Sequence, residues 1–284
     1  MNQRISDIGI LKRLASLDEG LAGSTIQTWN ECEPLLRHAA ATHPFHTSHG
    51  PDHAVALLSI VSQALDPLNT IMSAAELYIL VCATMLHDIG MVGEPRPEEA
   101  TRDKIRRNHH ALSAQYIRQN WRALSIRYEY VQAVADVARA HRKVNISKDI
   151  QERPIGVTAN VIPRTRLCAA VLRFADELHI TFDRVPHDYA SLSLPEESLK
   201  HFIAHELTTG RAFNSTAGTV VFSVTVNDSN ISVFIDELHK KIQAEIDEIS
   251  TILRQNGIPY ARVVFMQTRN ALVRRKVIRY LLQN

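Results

Sequence analysis

The side chains with the most chemistry in this chain are histidines and aspartates lodged in apolar segments. His87 and Asp88 are adjacent at the end of the run LYILVCATML, where an unpaired carboxylate is costly to bury. A divalent cation compensates such a group, because imidazole nitrogen and carboxylate oxygen both ligate Mn, Fe, Co, Ni or Zn. The alternative is a helix-capping aspartate beside a core histidine. The pair does not stand alone: His53 lies 34 residues earlier and Asp176 lies 88 residues after Asp88. Phe174, Ala175 and Leu178 surround Asp176, so full solvation of that carboxylate is not expected either.

Further histidines sit between these positions. RRNHHALSAQYI supplies His109 and His110, and VADVARAHRK places His141 on the same helical face as Val134 and Ala138. Adjacent helical residues point about 100° apart, so His109 and His110 cannot share one role. The spacing of Leu112 and Tyr116 favours His109 as the inward one. Without a ligand role, the pair would be surface or phosphate-contacting groups, and His141 a satisfied core histidine near a helix C-terminus.

The ordered series His53, His87–Asp88, Asp176 resembles the HD superfamily of metal-dependent phosphohydrolases over roughly residues 40–185, with HDIG as that superfamily's commonest central form. The resemblance implies metal binding by His53, His87, Asp88 and Asp176. It also implies, for two-metal members, a second cation held by His109 or His110 and by His141, with Asp88 bridging. One or two divalent ions, Mn, Fe, Co, Ni, Zn or Mg, are the implied cofactor. His49, four residues before His53, resembles the leaving-group acid of cyclic-nucleotide phosphodiesterases, though the other motifs of those enzymes are not evident. His49 and Asp88 are thus the expected catalytic residues. Arg106, Arg107, Arg142 and Lys143 adjoin the histidine motifs and are expected to bind the substrate's anionic oxygens.

The implied activity is hydrolysis of a phosphomonoester or phosphodiester, with a nucleotide as the expected substrate, by metal-activated water. Two alternatives remain at this point: a regulatory module that binds metal and nucleotide without turnover, and an HD-type nuclease. The second needs a long electropositive track, which 32 Lys plus Arg against 30 Asp plus Glu do not supply across the whole chain.

The elements that must position these residues are mostly helical, giving a mainly α fold: an HD-type helical core followed by an α+β extension. Pro51 suits the first turn of a helix over 51–65. Ser73 and Glu76 form a capping-box pattern opening a second, apolar nearly all round, with Gly90 closing it. Further helices are expected over 104–121, 124–142 and 164–180, the last two separated by a polar loop with Pro154 and Pro163. Arg173 and Arg184 flank Asp176 and have structural roles open to them.

Residues 1–186 read as the helical domain and 187–284 as the extension. A short helix is expected at 196–205, with His201 and His205 on its surface. The period then changes from 3.6 to 2, so TVVFSVTV, NDSN and ISVFID read as a β-hairpin with strands at 219–226 and 231–235. Leu238, Ile242, Ile249 and Leu253 mark a helix ended by Gly257; ARVVFM is another strand, and 268–284 a terminal basic amphipathic helix. The extension is expected to cover the core or contact a protein partner.

Cys32, Cys82 and Cys168 show no close pairing, which suits a reducing compartment. The N-terminus carries no long apolar stretch, and the run 77–86 is too short to span a bilayer. A cytoplasmic protein with no membrane partner is the expectation.

Overall fold

The computed structural model of this protein describes residues 5–38, 47, 49–68, 72–92, 99–156, 162–185, 196–225 and 229–268. Its first helices are α1 (Gly9–Leu17) and α2 (Glu19–Leu36), joined at Asp18, whose carboxylate accepts the Leu21 N–H at 2.8 Å and caps α2. α3 (Pro51–Leu65) begins at the proline, whose missing N–H is no loss in a first turn. α4 (Ala74–Leu86) opens with the capping box in both directions: Ser73 Oγ accepts from the Glu76 N–H, and a Glu76 oxygen accepts from the Ser73 N–H.

α4 is the axis of the helical part. Every residue from Glu76 to Leu86 is buried, and α1, α2, α3 and two later helices all pack on it. The stretch Ala74–Met91 is apolar and long enough to resemble a membrane span, but 83% of it is buried inside the protein, as expected of a central core helix. The buried Glu76 is compensated by Arg164, whose Nε lies 2.7 Å from Oε1 and whose second guanidinium nitrogen lies 2.9 Å from Oε2.

The later helices are α5 (Glu99–Asn120), α6 (Val131–Arg139), the single turn α7 (Ile146–Asp149) and α8 (Thr165–Glu177). α5 starts earlier than the spacing suggests. α6 is shorter than the expected 124–142: Ser125 takes a left-handed φ of 54° and a 3₁₀ turn, Tyr128–Tyr130, precedes it. At the other end Ala140 caps it, so His141 stands in the turn beyond the helix rather than on it.

After residue 195 come α9 (Glu196–Leu207), β1 (Thr208–Asn214), β2 (Thr219–Thr225), α10 (Ser229–Gln255) and β3 (Arg262–Thr268). The strands form one sheet in the order β1-β2-β3, with β1–β2 antiparallel and β2–β3 parallel. This corrects the expected hairpin. Residues 219–225 are a strand, but their antiparallel partner is 208–214, and 231–235 belongs to α10. Alternating Val233 and Ile235 imitate a strand, yet Ile235 is buried in phase with Ile242, Ile246, Ile249 and Leu253 at helical spacing, while Val233 is exposed. A parallel β2–β3 pair needs a crossover, and α10 supplies it. Gly257, at φ +79°, follows the end of α10 as expected. The expected terminal helix lies outside the described residues.

The contacts divide the chain into two compact units. The first holds the N-terminal helices, His49–His179 and Gln255–Ile258; the second holds Ile180–Arg254 and the strand after Pro259. Cys32, Cys82 and Cys168 are free and buried.

Candidate metal centre

Five stretches of the first unit deliver side chains to one point. The first turn of α3 carries His53, with His49 just ahead of it. The end of α4 carries His87 and Asp88, α5 carries His109, the turn after α6 carries His141, and the last turn of α8 carries Asp176. Gly90 makes the α5 contribution feasible. A Cβ there would fall 2.5 Å from both the His109 carbonyl oxygen and the Ser113 nitrogen, so only glycine lets α5 come this close to the α4 terminus. Its N–H donates to Ser113 Oγ at 2.9 Å. Gly90 therefore serves close approach within a 3₁₀ turn, Ile89–Met91; the helix itself already ends at Leu86.

His141 is held from behind. Arg173, buried in α8, donates from Nε and a terminal nitrogen to the Ala140 carbonyl at 3.0 and 2.7 Å, and to the Val144 carbonyl at 2.6 Å. These carbonyls flank His141, so the guanidinium fixes the turn that presents it. Arg173 is thus structural. Arg184 is buried in the second unit.

Asp88 lies at the centre. Its Oδ2 is 2.6 Å from His49 Nδ1, 3.1 Å from His87 Nε2 and 3.5 Å from His53 Nε2. Its Oδ1 is 3.3 Å from His109 Nε2 and 3.9 Å from His141 Nε2. Asp176 Oδ1 lies 3.2 Å from His53 Nε2. No cap bond from Asp88 to the following turn is formed, which removes the capping alternative. The potential ligand atoms fall into overlapping groups: His49, His53 and Asp88; His53, His87 and Asp176; Asp88, His109 and His141. His53, His87, Asp88, His109 and His141 are buried, whereas His49 and Asp176 each keep 22% of the side chain exposed.

The proton positions decide what this set can hold. His87 Nδ1 lies 2.9 Å from the Thr84 carbonyl oxygen, His109 Nδ1 2.7 Å from that of Arg106, and His141 Nδ1 2.6 Å from that of Ala138. A carbonyl only accepts, so in all three Nδ1 carries a proton, and Nε2 is the nitrogen left to ligate once the ring is neutral. Yet His109 Nε2 and His141 Nε2 are 2.8 Å apart, two lone pairs facing each other. A proton or a cation must lie between them. Burial pushes the pKa of both rings down, and for His141 the neighbouring His109 and His87 push it further, so protonation is disfavoured. The donors therefore fit a divalent cation: borderline nitrogens and hard oxygens, aimed at one another with their far sides hydrogen-bonded.

The other charges agree. Burial would raise the pKa of Asp88, but His87 and His49 hold it well below the carboxylate range; burial opposes Asp176 as well, and His53, His87 and His141 hold it low. Both are carboxylates. Burial lowers the His87 pKa, but Asp88 and then Asp176 outweigh it and lift the metal-free ring to about 9, so a cation at this Nε2 has to displace its proton.

Of the two adjacent histidines, His109 joins the cluster and His110 does not. His110 stands edge-on to His141, ring centroids 6.5 Å apart, and burial followed by His109, Lys143 and Arg142 brings its pKa down to about 4. Arg142 and Lys143 are exposed but near enough to act on that ring; Arg106 is half-buried and lends its carbonyl to His109. Arg107 is exposed and lies 3.7 Å from Asp103 one turn away on α5. His179, not foreseen, is buried with Nδ1 only 2.7 Å from His53 Nδ1. His205 is also buried, against the surface role expected for it: its Nδ1 lies 3.2 Å from the Thr181 backbone nitrogen and oxygen.

The chain matches the HD-CE family over residues 37–253, well over half its length, and it belongs to that family. An HD-type domain with a buried His/Asp cluster able to hold a divalent metal is the class that fold and site define. No curated protein matches the chain.

Proposed function

We propose that this chain is a metal-dependent phosphohydrolase acting on a phosphomonoester or phosphodiester, with a nucleotide as substrate. The observation that carries this reading is the division of the Asp88 carboxylate, Oδ2 toward His53 and His87 and Oδ1 toward His109 and His141. That arrangement suits a bridge between two cations, one held by His53, His87, Asp88 and Asp176, the other by Asp88, His109 and His141. When bound, such cations supply Lewis acidity, lowering the pKa of water and polarising phosphoryl oxygen.

The chain's own residues supply the rest. His49 is the one cluster histidine with appreciable exposure, and its Nδ1–H donates to Asp88 Oδ2 at 2.6 Å. Anchored this way, it is the candidate to hand a proton to the departing ester oxygen. Arg142 and Lys143, whose charges reach the His110 ring, and Arg106, whose carbonyl holds His109, are the candidates to meet the phosphate's free oxygens; Arg107 is less suited because it faces Asp103. On this reading residues 1–186 carry the chemistry in the cytoplasm, and 187–284 contribute a surface for a protein partner.

The test is a screen of chelator-stripped protein, reconstituted with Mn, Fe, Co, Ni, Zn or Mg, against nucleotides, cyclic nucleotides and single-stranded DNA. Release of phosphate or nucleoside from one nucleotide class, lost with chelator, is expected. His49→Gln is expected to lower kcat about 10²–10³-fold with metal content unchanged. Metal-loaded protein that binds nucleotide tightly and turns over nothing overturns the reading in favour of a sensor.

A further inference from the structure

His53 differs from the other cluster histidines on its far side. His87, His109 and His141 each turn Nδ1 to a carbonyl oxygen three residues back in the chain, which places a proton on Nδ1 and leaves Nε2 as the ligating nitrogen of the neutral ring. His53 sits in the first turn of α3, where the carbonyl three residues back is that of Gly50, and Gly50 O already accepts the backbone N–H groups of His53 and Ala54. Its Nδ1 faces His179 Nδ1 instead, at 2.7 Å.

The ring geometry says what kind of contact this is. The two ring planes are 8° from parallel and the centroids are 4.9 Å apart. Face-stacked rings would keep their atoms about 3.5 Å apart or more, so a 2.7 Å nitrogen pair between parallel rings is an in-plane N–H···N hydrogen bond, edge to edge. One nitrogen donates and the other must be bare. If His179 donated, a neutral His53 would carry its proton on Nε2, aimed into the cluster 3.2 Å from both His87 Nε2 and Asp176 Oδ1, and could not ligate. If His53 donates, its Nε2 is left to ligate like the other three.

We infer that His179 is the positioning residue for His53: it accepts the His53 Nδ1 proton at its own Nδ1, carries its own proton on Nε2, and so turns the His53 Nε2 lone pair toward the cation. This rests on the metal-centre reading above and assigns a side chain to the orienting job that backbone carbonyls do for the other histidines. Because a side chain holds this ring, one substitution removes the support without touching any ligand.

The experiment compares His179→Ala, His179→Asn and His179→Leu with the wild-type full chain for Zn²⁺ affinity, by competition with a chromogenic chelator. Long-range ¹H–¹⁵N spectra of the Zn²⁺-loaded protein, with His53 assigned by its loss in His53→Gln, report the tautomer. Asparagine places Oδ1 where His179 has Nδ1 and can accept the same bond; leucine fills the space and cannot. His179→Ala and His179→Leu are expected to weaken Zn²⁺ about 10–100-fold, His179→Asn to stay within about threefold of wild type, and wild-type His53 to show the Nδ1–H form. Should His179→Ala not fold, the Asn–Leu pair decides. Wild-type affinity in His179→Leu, or an Asn variant as weak as Leu, overturns the inference alone. A wild-type chain that takes up no Zn²⁺ overturns the metal centre and the inference together.

Discussion

Neighbouring residues of one type can have opposite fates, and His109 and His110 show why. Successive residues on α5 diverge by about 100°; His109 turns its ring into the cluster with Nδ1 on the Arg106 carbonyl, and His110 is left beside it among Arg139, Arg142 and Lys143. Burial and these cations bring the His110 pKa to about 4, below the ~6.5 of an exposed histidine. Between those values the unfolded chain binds the proton and the folded chain does not. Stability from this group is therefore present above pH ~6.5 and lost as pH falls toward 4. Because His110 is only partly buried, the effect is discounted to about 1–2 kcal/mol. Metal-free His110→Gln is expected to melt with a flatter pH dependence between 6.5 and 4 than wild type; parallel curves would show that His110 does not carry that slope. At this scale the sequence was informative where residue type and spacing coincide: His53, His87, Asp88 and Asp176 converge as their order suggests. His179 escaped because it follows the α8 helix and no periodicity marks its direction.

Helices were legible wherever one apolar stripe or a cap announced them, as with the Ser73–Glu76 box of α4 and Pro51 of α3. The sheet was not. Its parallel β2–β3 pair joins strands separated by the whole of α10, and such pairing leaves no local signal, while the alternating residues at the start of α10 imitated the missing hairpin strand. β1 was hidden for a related reason: it is an edge strand with a mostly exposed pattern, so no apolar alternation marks it. What joins the elements around the His/Asp cluster is close approach, and Gly90 sets it. In Gly90→Ala the added methyl meets two backbone atoms of α5 that cannot rotate away, so α5 must shift. A loss of about 1–3 kcal/mol is expected for such overpacking, read as a fall of several degrees in Tm, together with weaker metal retention because His109 moves with its helix. An unchanged Tm and metal content would mean that α5 has slack at this contact.

Taken as a whole, the molecule places its His/Asp cluster in the helical unit. Among the described residues, His49–His179 contains every potential ligand of the cluster, built on a core helix whose burial leaves no apolar face for another use. The second unit holds a three-stranded sheet and α10. This division lets the central claim be tested on the full chain, since the ligands at the α4 terminus lie beyond the helix they follow and their loss should not unravel it. The measurement is elemental analysis of His87→Ala/Asp88→Ala beside wild type, with far-ultraviolet circular dichroism on the same samples. Wild-type protein is expected to retain a transition metal through gel filtration, and the double variant to lose it with its helical signal largely intact. Equal metal content in a folded double variant would contradict the account: whatever cation the protein held would then not be held by this cluster.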